Sequence, residues 1–224
     1  MGKIRSHIGD DWYELLEDCL TSSYFKQLRK FLNDRRSSFD IDVYPDKDDI
    51  FRAFKLCKLN DLKVVIIGAE PYKNSSGTGI LYAQNGLGPI SKELSDIYYE
   101  HEKNNNQGLD LMFDYSLENW AKQGVLLLNI PLTSESSSTT HNKQWNKFYN
   151  YLFNKLDETK MNIIYICLTK ESREYISVFN KQKRNIVFEI DNIRNSKMFS
   201  NINKFLIEIA EVLEVDPEQY KIKW

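Results

Sequence analysis

Residues 64–72 read Val-Val-Ile-Ile-Gly-Ala-Glu-Pro-Tyr, and this stretch decides the predicted fold. Its first four residues are β-branched and apolar, which is typical of a strand buried on both faces of a parallel sheet. The strand then breaks into a glycine, a carboxylate and a Pro-Tyr pair. Because ligands bind beyond the carboxyl ends of parallel strands, Glu70 and Tyr72 lie where a functional site is expected.

Three more apolar segments resemble residues 64–67. They are 125–129, 163–167 and 186–190. Segments with the apolar spacing of helices separate these four stretches from one another. Four buried strands that alternate with helices predict a three-layer α/β/α fold with a central four-stranded parallel sheet. We expect residues 1–224 to form a single domain. Two helices are predicted between residues 11 and 33, and residues 35–47 and 133–142 are predicted to be loops.

Composition restricts the class of protein. The chain has a net charge of −2 and a pI of about 6.0, so it does not bind nucleic acid by bulk charge. No apolar run reaches the ~20 residues of a membrane helix, and the N-terminus lacks the apolar core of a secretion signal. Three well-separated cysteines and three histidines do not suggest disulfides or a metal site. We therefore expect an intracellular protein (cytoplasm or nucleoid, or a host cell if viral) without membrane contact, metal or cofactor.

Polar residues follow each predicted strand, and parallel topology brings them to one rim of the sheet. They are Glu70, then Asn129 and Thr133, then Thr169 and Lys170, then Asp191 and Asn192. The planar amide of Asn129 suits the edge of a flat heterocycle. The ring of Tyr82 can stack on the face of that heterocycle, and Tyr72 can form a wall beside it. A carboxylate can orient water toward a sugar carbon. The set suggests a site for a base taken out of a helix.

Two motifs resemble those of the family-1 uracil-DNA glycosylases. Residues 63–72 resemble the family's water-activating motif, and residues 120–133, Trp-Ala-Lys-Gln-Gly-Val-Leu-Leu-Leu-Asn-Ile-Pro-Leu-Thr, resemble its second signature more closely. The resemblance runs from about residue 12 to residue 168. It implies a glycosylase fold and a substrate that is DNA, single-stranded or containing uracil.

The resemblance also implies roles for individual residues. Asn129 takes the position that reads the polar edge of uracil, and Tyr82 takes that of the stacking ring, where the family usually has Phe. Tyr72 takes the position that excludes the 5-methyl group of thymine. Glu70 stands at the water-orienting position, and Ser91 belongs to the loop that compresses the DNA backbone.

Three departures from the family pattern concern the first motif. The family's Gly-Gln-Asp-Pro-Tyr-His is Gly-Ala-Glu-Pro-Tyr-Lys at residues 68–73. The water-orienting Asp is thus Glu70, which is longer by one methylene. The Gln is Ala69, which leaves the base-binding position without its amide, and the His is Lys73.

Two further departures lie near the end of the chain. The family's His-Pro-Ser-Pro motif is absent, and the matching stretch is Asp-Asn-Ile-Arg-Asn-Ser at residues 191–196, with Asn192 at the position of the lost His. In the family that His stabilises the charge that develops on uracil. The loop that carries the family's Leu wedge is shortened, and Met198 and Phe199 fit a helix core better than a wedge.

These departures favour a divergent member that binds DNA or a flipped base, with uracil excision weak or lost. Two alternatives remain: an active DNA glycosylase with a rebuilt site for uracil or a modified base, and a non-catalytic protein-interaction or replication subunit. A small-molecule α/β enzyme is disfavoured because residues 77–79 are too short for a dinucleotide fingerprint. DNA binding is expected to be weak and to depend on Lys73, Lys170, Arg194 and Lys197. The residues define neither a protein partner nor an oligomeric state.

Overall fold

A parallel sheet of four strands forms the centre of the protein. A computed structural model describes residues 2–69, 71–73, 77–85, 89–105, 113–137 and 139–224. The strands are β1 (Val43–Tyr44), β2 (Val64–Gly68), β3 (Val125–Asn129), β4 (Ser134–Glu135), β5 (Ile164–Cys167) and β6 (Ile186–Glu189). The parallel strands are in the order β3-β2-β5-β6. The predicted fold is confirmed, and each of these four strands lies within one residue of its predicted bounds.

Helices cover both faces of the sheet. They are α1 (Gly2–Ile8), α2 (Asp10–Thr21), α3 (Ser23–Arg36), α4 (Arg52–Leu56), α5 (Lys92–Asn105), α6 (Glu118–Lys122), α7 (Asn142–Thr159), α8 (Lys170–Arg173), α9 (Ile176–Phe179), α10 (Met198–Val212) and α11 (Pro217–Tyr220). The predicted break between α2 and α3 is confirmed, since the Ser22 hydroxyl accepts a hydrogen bond from the backbone N–H of Phe25 at 3.2 Å. In the described ranges no helix combines the length and apolarity needed to span a membrane.

The sheet separates two apolar cores. Successive side chains of a strand point to opposite faces. Val65 and Ile67 accordingly pack with residues of α2, α3 and α7, whereas Val64 and Ile66 pack with residues of α5 and α10. β6 differs from the prediction of a fully buried strand, since three of its residues are half-buried and Glu189 is exposed. β3, at the opposite edge of the sheet, is fully buried because α4 and α6 pack against it.

A small antiparallel pair of strands lies outside the main sheet and corrects the prediction of two loops. β1 pairs with β4, with Val43 opposite Glu135 and Tyr44 opposite Ser134. The Glu135 carboxylate is completely buried and accepts hydrogen bonds from Arg35 Nε at 2.6 Å and Nη2 at 2.7 Å. This bidentate ion pair attaches the end of α3 to the segment that follows β3.

Two local features have the structure that the sequence predicts: the glycine that follows α6, and the first two residues of α10. Gly124 follows the end of α6 with φ of +99°, and a Cβ there would lie 1.9 Å from the Asp61 carbonyl oxygen, so only glycine fits. Met198 and Phe199 are 2% and 0% exposed, which confirms that they belong to the core rather than to a wedge.

Candidate functional site

A cavity of about 330 Å³ opens at the carboxyl ends of β2 and β3. Gly68 is opposite Asn129 in the parallel register, so both strands end at the same level. The lining residues are Ala69, Pro71, Tyr72, Lys73, Gly77, Thr78, Gly79, Ile80, Tyr82, Glu93 and Asn129. The structure therefore brings four predicted base-binding residues and the predicted DNA contact Lys73 into one cavity. Their roles remain predictions, and the water-orienting position Glu70 lies outside the described residues.

Asn129 is held rigidly at the wall of this cavity. It is 3% exposed, its carbonyl oxygen accepts a hydrogen bond from the Tyr149 hydroxyl at 2.9 Å, and the next residue, Ile130, donates its N–H to Gly68 and Ala69 at 3.3 Å. Within the described residues, the Asn129 side-chain amide makes no hydrogen bond. Because Asn129 lines the cavity, the donor and acceptor of its amide are available to a ligand.

The Tyr82 ring is also fixed. The residue has φ of +60° and is 9% exposed, and its hydroxyl lies beside Gly68 at the end of β2. A Cβ added to Gly68 would lie 3.0 Å from that hydroxyl and 2.7 Å from Leu81 Cδ1. Glycine at the end of β2 therefore makes room for the ring, which lines the cavity. Burial raises the pKa of Tyr82 to about 12, so the phenol is neutral at physiological pH.

Tyr72 connects the cavity to α5. Its hydroxyl donates to the Tyr82 carbonyl oxygen at 2.9 Å and lies 2.5 Å from Ser91 Oγ, which itself caps α5 by accepting from the Leu94 N–H at 3.0 Å. Burial raises the pKa of Tyr72 to about 12 and keeps its proton in place. Ser91, predicted to contact DNA, is half-buried and has its hydroxyl engaged by Tyr72 and Leu94.

Replacing Tyr72 with phenylalanine is expected to lower the free energy of unfolding by about 1–2 kcal/mol, because two hydrogen bonds of the hydroxyl are lost. Urea unfolding measures the change. The control is Tyr151→Phe, whose hydroxyl makes one long exposed contact with Asp18 at 3.4 Å and is expected to matter little. Equal stability of Tyr72→Phe and wild type would show that these contacts are not formed.

A second cavity of about 590 Å³ lies beyond the ends of β5 and β6 and shares Tyr82 and Glu93 with the first. Asn192, at the position of the lost family His, is exposed on its wall, and its Oδ1 accepts the backbone N–H of Arg194 at 3.0 Å. Asp191 forms an ion pair with Arg173 and is 88% exposed at its side chain. Because Asp191 is paired with Arg173 and solvated, its charge does not strongly oppose an anion at this rim.

The four predicted DNA-binding cations do not share one cavity. Lys73 lines the first cavity, and Arg194 lines the second, where it pairs with Asp96 at 3.1 Å and lies 4.1 Å over the Tyr99 ring. Lys170 begins α8, and Lys197 immediately precedes α10 with φ of +56°. Both are exposed and neither lines a cavity at this rim.

None of the three histidines lies at these cavities. His141 is completely buried, with Nδ1 2.8 Å from Thr133 Oγ1 and Nε2 2.9 Å from Glu135 Oε1. His101 on α5 is 3% exposed and packs against Phe113 and Trp120. His7 lies in α1 near Asp48. Each imidazole therefore belongs to another part of the structure.

Sequence reasoning did not identify two polar side chains of the first cavity, those of Glu93 and Thr78. Glu93 is an exposed carboxylate that lines both cavities, and its charge raises the pKa values of Tyr72 and Tyr82 after the larger effect of burial. The Thr78 hydroxyl is buried and unpaired. A carboxylate in the first turn of a helix resembles any solvated residue, so no sequence signal distinguished Glu93.

The fold and the cavity define an α/β protein with a rigid ring-sized pocket at the ends of parallel strands. A family model described as the uracil DNA glycosylase superfamily matches residues 54–206. The curated uracil-DNA glycosylase of Mesomycoplasma hyopneumoniae (strain 7448) is 31% identical over 203 residues, which cover 83% of this chain and 88% of that protein. The chain belongs to the uracil DNA glycosylase superfamily.

Other relatives agree with this assignment. The uracil-DNA glycosylase of Francisella tularensis subsp. holarctica (strain FTNF002-00 / FTA) is 30% identical over 209 residues, covering 88% of this chain and 94% of that protein. The crystal structure of mimivirus uracil-DNA glycosylase matches with a TM-score of 0.81 and 16% identity, covering 96% of this chain and 86% of that chain. This structural likeness shows the shared fold.

Proposed function

We propose that residues 1–224 act as one domain that binds DNA and takes a flipped pyrimidine base into the first cavity, with weak excision of uracil. The observation that carries the proposal is a contrast between the base-binding wall of the site and the rim from which a catalytic histidine would act. The rigid wall of Asn129 and Tyr82 is present, whereas no histidine lies at the rim where the family places one. Family membership supports DNA as the ligand.

The geometry of the first cavity supports a base as its occupant. Its volume of about 330 Å³ is at the lower end of small-ligand pockets and suits one planar ring. The Asn129 amide presents two donors and one acceptor in a plane, which complements the edge of a pyrimidine. The Tyr82 ring supplies a flat apolar surface, and stacking on such rings contributes about 1–3 kcal/mol per base.

The residues beyond β6 support weak excision. Loss of the base as an anion needs a donor that stabilises the developing charge, and removing one such donor lowers a rate by roughly 10²–10³. Asn192 offers only a neutral amide donor, and it is exposed to solvent, where such a donor stabilises an anion less than in a site that excludes water. Glu70 replaces the family's shorter acid, and a misplacement of ~1 Å costs about a hundredfold.

An active DNA glycosylase with a rebuilt site is the second candidate. Relatives at 30–31% identity are curated as uracil-DNA glycosylases, and Lys73 lines the cavity with a cationic side chain. Incubation with uracil-containing single-stranded DNA followed by alkali distinguishes the candidates, because excision leaves a site that alkali cleaves. A non-catalytic subunit that binds only protein would give neither cleavage nor a gel shift.

Replacing Asn129 with alanine tests the base pocket. We expect affinity for single-stranded DNA that contains uracil to fall about five- to tenfold, because the amide's hydrogen bonds to the base are lost. Fluorescence anisotropy measures the change. The control, Asn154→Ala, removes an exposed amide of α7 and should leave affinity unchanged. Equal affinity of Asn129→Ala and wild type would place the base elsewhere.

DNA binding is expected to be modest and to weaken as salt increases. The net charge of −2 confines phosphate contacts to a few cations. If Lys170 and Lys197 each neutralise one phosphate, Lys170→Ala and Lys197→Ala each reduce the slope of log K against log salt by about 0.7 on single strands. An unchanged slope in both variants would remove these lysines from the interface.

A further inference from the structure

A separate apolar hole lies among α1, α3, α7 and the segment before α4, away from the sheet rim described above. Its floor consists of buried apolar side chains, namely Phe25, Leu28, Leu32, Ile50, Phe51 and Trp145. Its volume is about 100 Å³. It shares no lining residue with either cavity at the rim.

The mouth of this hole is basic. His7, Arg29, Arg36 and Lys47 surround the apolar floor, and no carboxylate lines it. Within the described residues, Arg29, Arg36 and Lys47 form no ion pair. Two acids lie near the mouth: Asp48, whose Oδ1 is 3.6 Å from His7 Nε2, and Asp46, whose charge acts on Arg36.

Arg36 has an incomplete set of partners. Its Nη1 donates to the Val43 carbonyl at 2.7 Å and its Nη2 to that of Pro45 at 2.5 Å, but its Nε is buried and unpaired. Backbone carbonyls orient the guanidinium without neutralising it. The charge is therefore held beside the hole by the end of α3 and by β1.

The basic surface continues along α3. A shallow depression of about 290 Å³ adjoins the hole through Arg29 and Asn33 and is also lined by Lys26, Lys30 and Asp34. Lys26 and Arg36 are ten positions apart in α3, so about 15 Å of helix length separates them. An extended chain covers that length with about four or five residues.

We propose that this surface binds an acidic peptide segment of a partner protein, with one aliphatic side chain inserted into the hole and carboxylates on either side facing the α3 cations. Size argues for this occupant. A cavity of roughly 150 Å³ admits benzene, so about 100 Å³ holds one aliphatic side chain and is too small for a nucleobase or a lipid chain. Charge argues for carboxylates, since Arg29, Arg36 and Lys47 line the mouth and form no ion pair within the described residues.

The probe for the test is a fluorescent heptapeptide with the sequence Asp-Asp-Asp-Ile-Asp-Asp-Asp. We expect saturable binding to the full chain, and at least a tenfold weaker affinity for a matched peptide with aspartate in place of isoleucine. The double variant Arg29→Glu, Lys47→Glu changes only exposed rim residues and should weaken binding at least tenfold. The control Lys181→Glu, exposed and away from α3, should change affinity less than twofold.

Two results would overturn the proposal. One is the absence of saturable binding at about 1 mM peptide, an affinity too weak for a specific site. The other is equal affinity for the two peptides, which would mean that the charges bind without the hole. NMR of the Leu28 and Leu32 methyl groups tests the hole without mutation, since both resonances should shift with the isoleucine peptide alone. Displacement of the peptide by oligothymidylate would assign the surface to nucleic acid instead.

Discussion

Replacing Glu135 with alanine is expected to lower the free energy of unfolding by about 2–4 kcal/mol, because truncation removes the acceptor of the half-buried Arg35 guanidinium and of the buried His141 ring. The side chain is completely buried, pairs with both Nε and Nη2 of Arg35, and lies 2.9 Å from His141 Nε2. Loss of the carboxylate releases the end of α3 from β4. Urea unfolding at neutral pH measures the change.

The pH dependence of this effect has a definite sign. The hydrogen bond from Arg35 lowers the pKa of Glu135 from 4.5 to about 2. A depressed pKa in the folded state stabilises the fold above the unfolded value, and that stabilisation is lost as pH falls from about 4.5 toward 2. The stability difference between wild type and Glu135→Ala should therefore shrink over this interval.

The control for both measurements is Glu158→Ala. Glu158 is an exposed residue of α7 whose ion pair with Lys155, at 3.4 Å, is of the kind that contributes less than about 1 kcal/mol. A Glu135→Ala variant as stable as Glu158→Ala would contradict the buried ion pair.

Uracil excision by this chain is expected to be at least about a hundredfold slower than excision by the relative from Mesomycoplasma hyopneumoniae under the same conditions. One missing donor for the departing base accounts for roughly 10²–10³. The reason lies in where the histidines are: His141 is bound to Thr133 and Glu135, and His101 is packed in an aromatic cluster. Neither reaches the rim.

Replacing Glu70 with aspartate should not restore the rate by itself, because the departing base would still lack its donor. Cleavage of an end-labelled uracil oligonucleotide after alkali measures both proteins. The curated uracil-DNA glycosylase of Francisella tularensis serves as a second reference. Recovery of most of the lost rate in Glu70→Asp would show that the acid alone limits the reaction.

The sheet was predictable because its strands carry an unmistakable pattern. β2 and β3 are continuous apolar runs that end abruptly in Gly68 and Asn129, and parallel topology then dictates that their following residues converge. Tyr72 and Asn129 could be placed together for this reason, and the resemblance to the glycosylase motifs added Ala69 and supported Tyr82.

Long-range polar pairing was not predictable. β1 and β4 have two residues each, too few to show a period, so their segments read as loops. Glu135 lies in a Ser- and Thr-rich stretch that resembles a solvated turn, and its partner Arg35 is 100 residues away in the chain. The ion pairs of Asp191 with Arg173 and of Arg194 with Asp96 likewise depend on tertiary contacts.

A single-turnover reaction with protein in excess over a uracil-containing single strand tests the central claim most directly. Anisotropy of the labelled strand reports binding, and quenched samples treated with alkali report excision in the same mixture. The proposed function predicts a bound strand that is cleaved at least about a hundredfold more slowly than by the Mesomycoplasma hyopneumoniae enzyme. Excision at that enzyme's rate, or no binding at low salt, would contradict it.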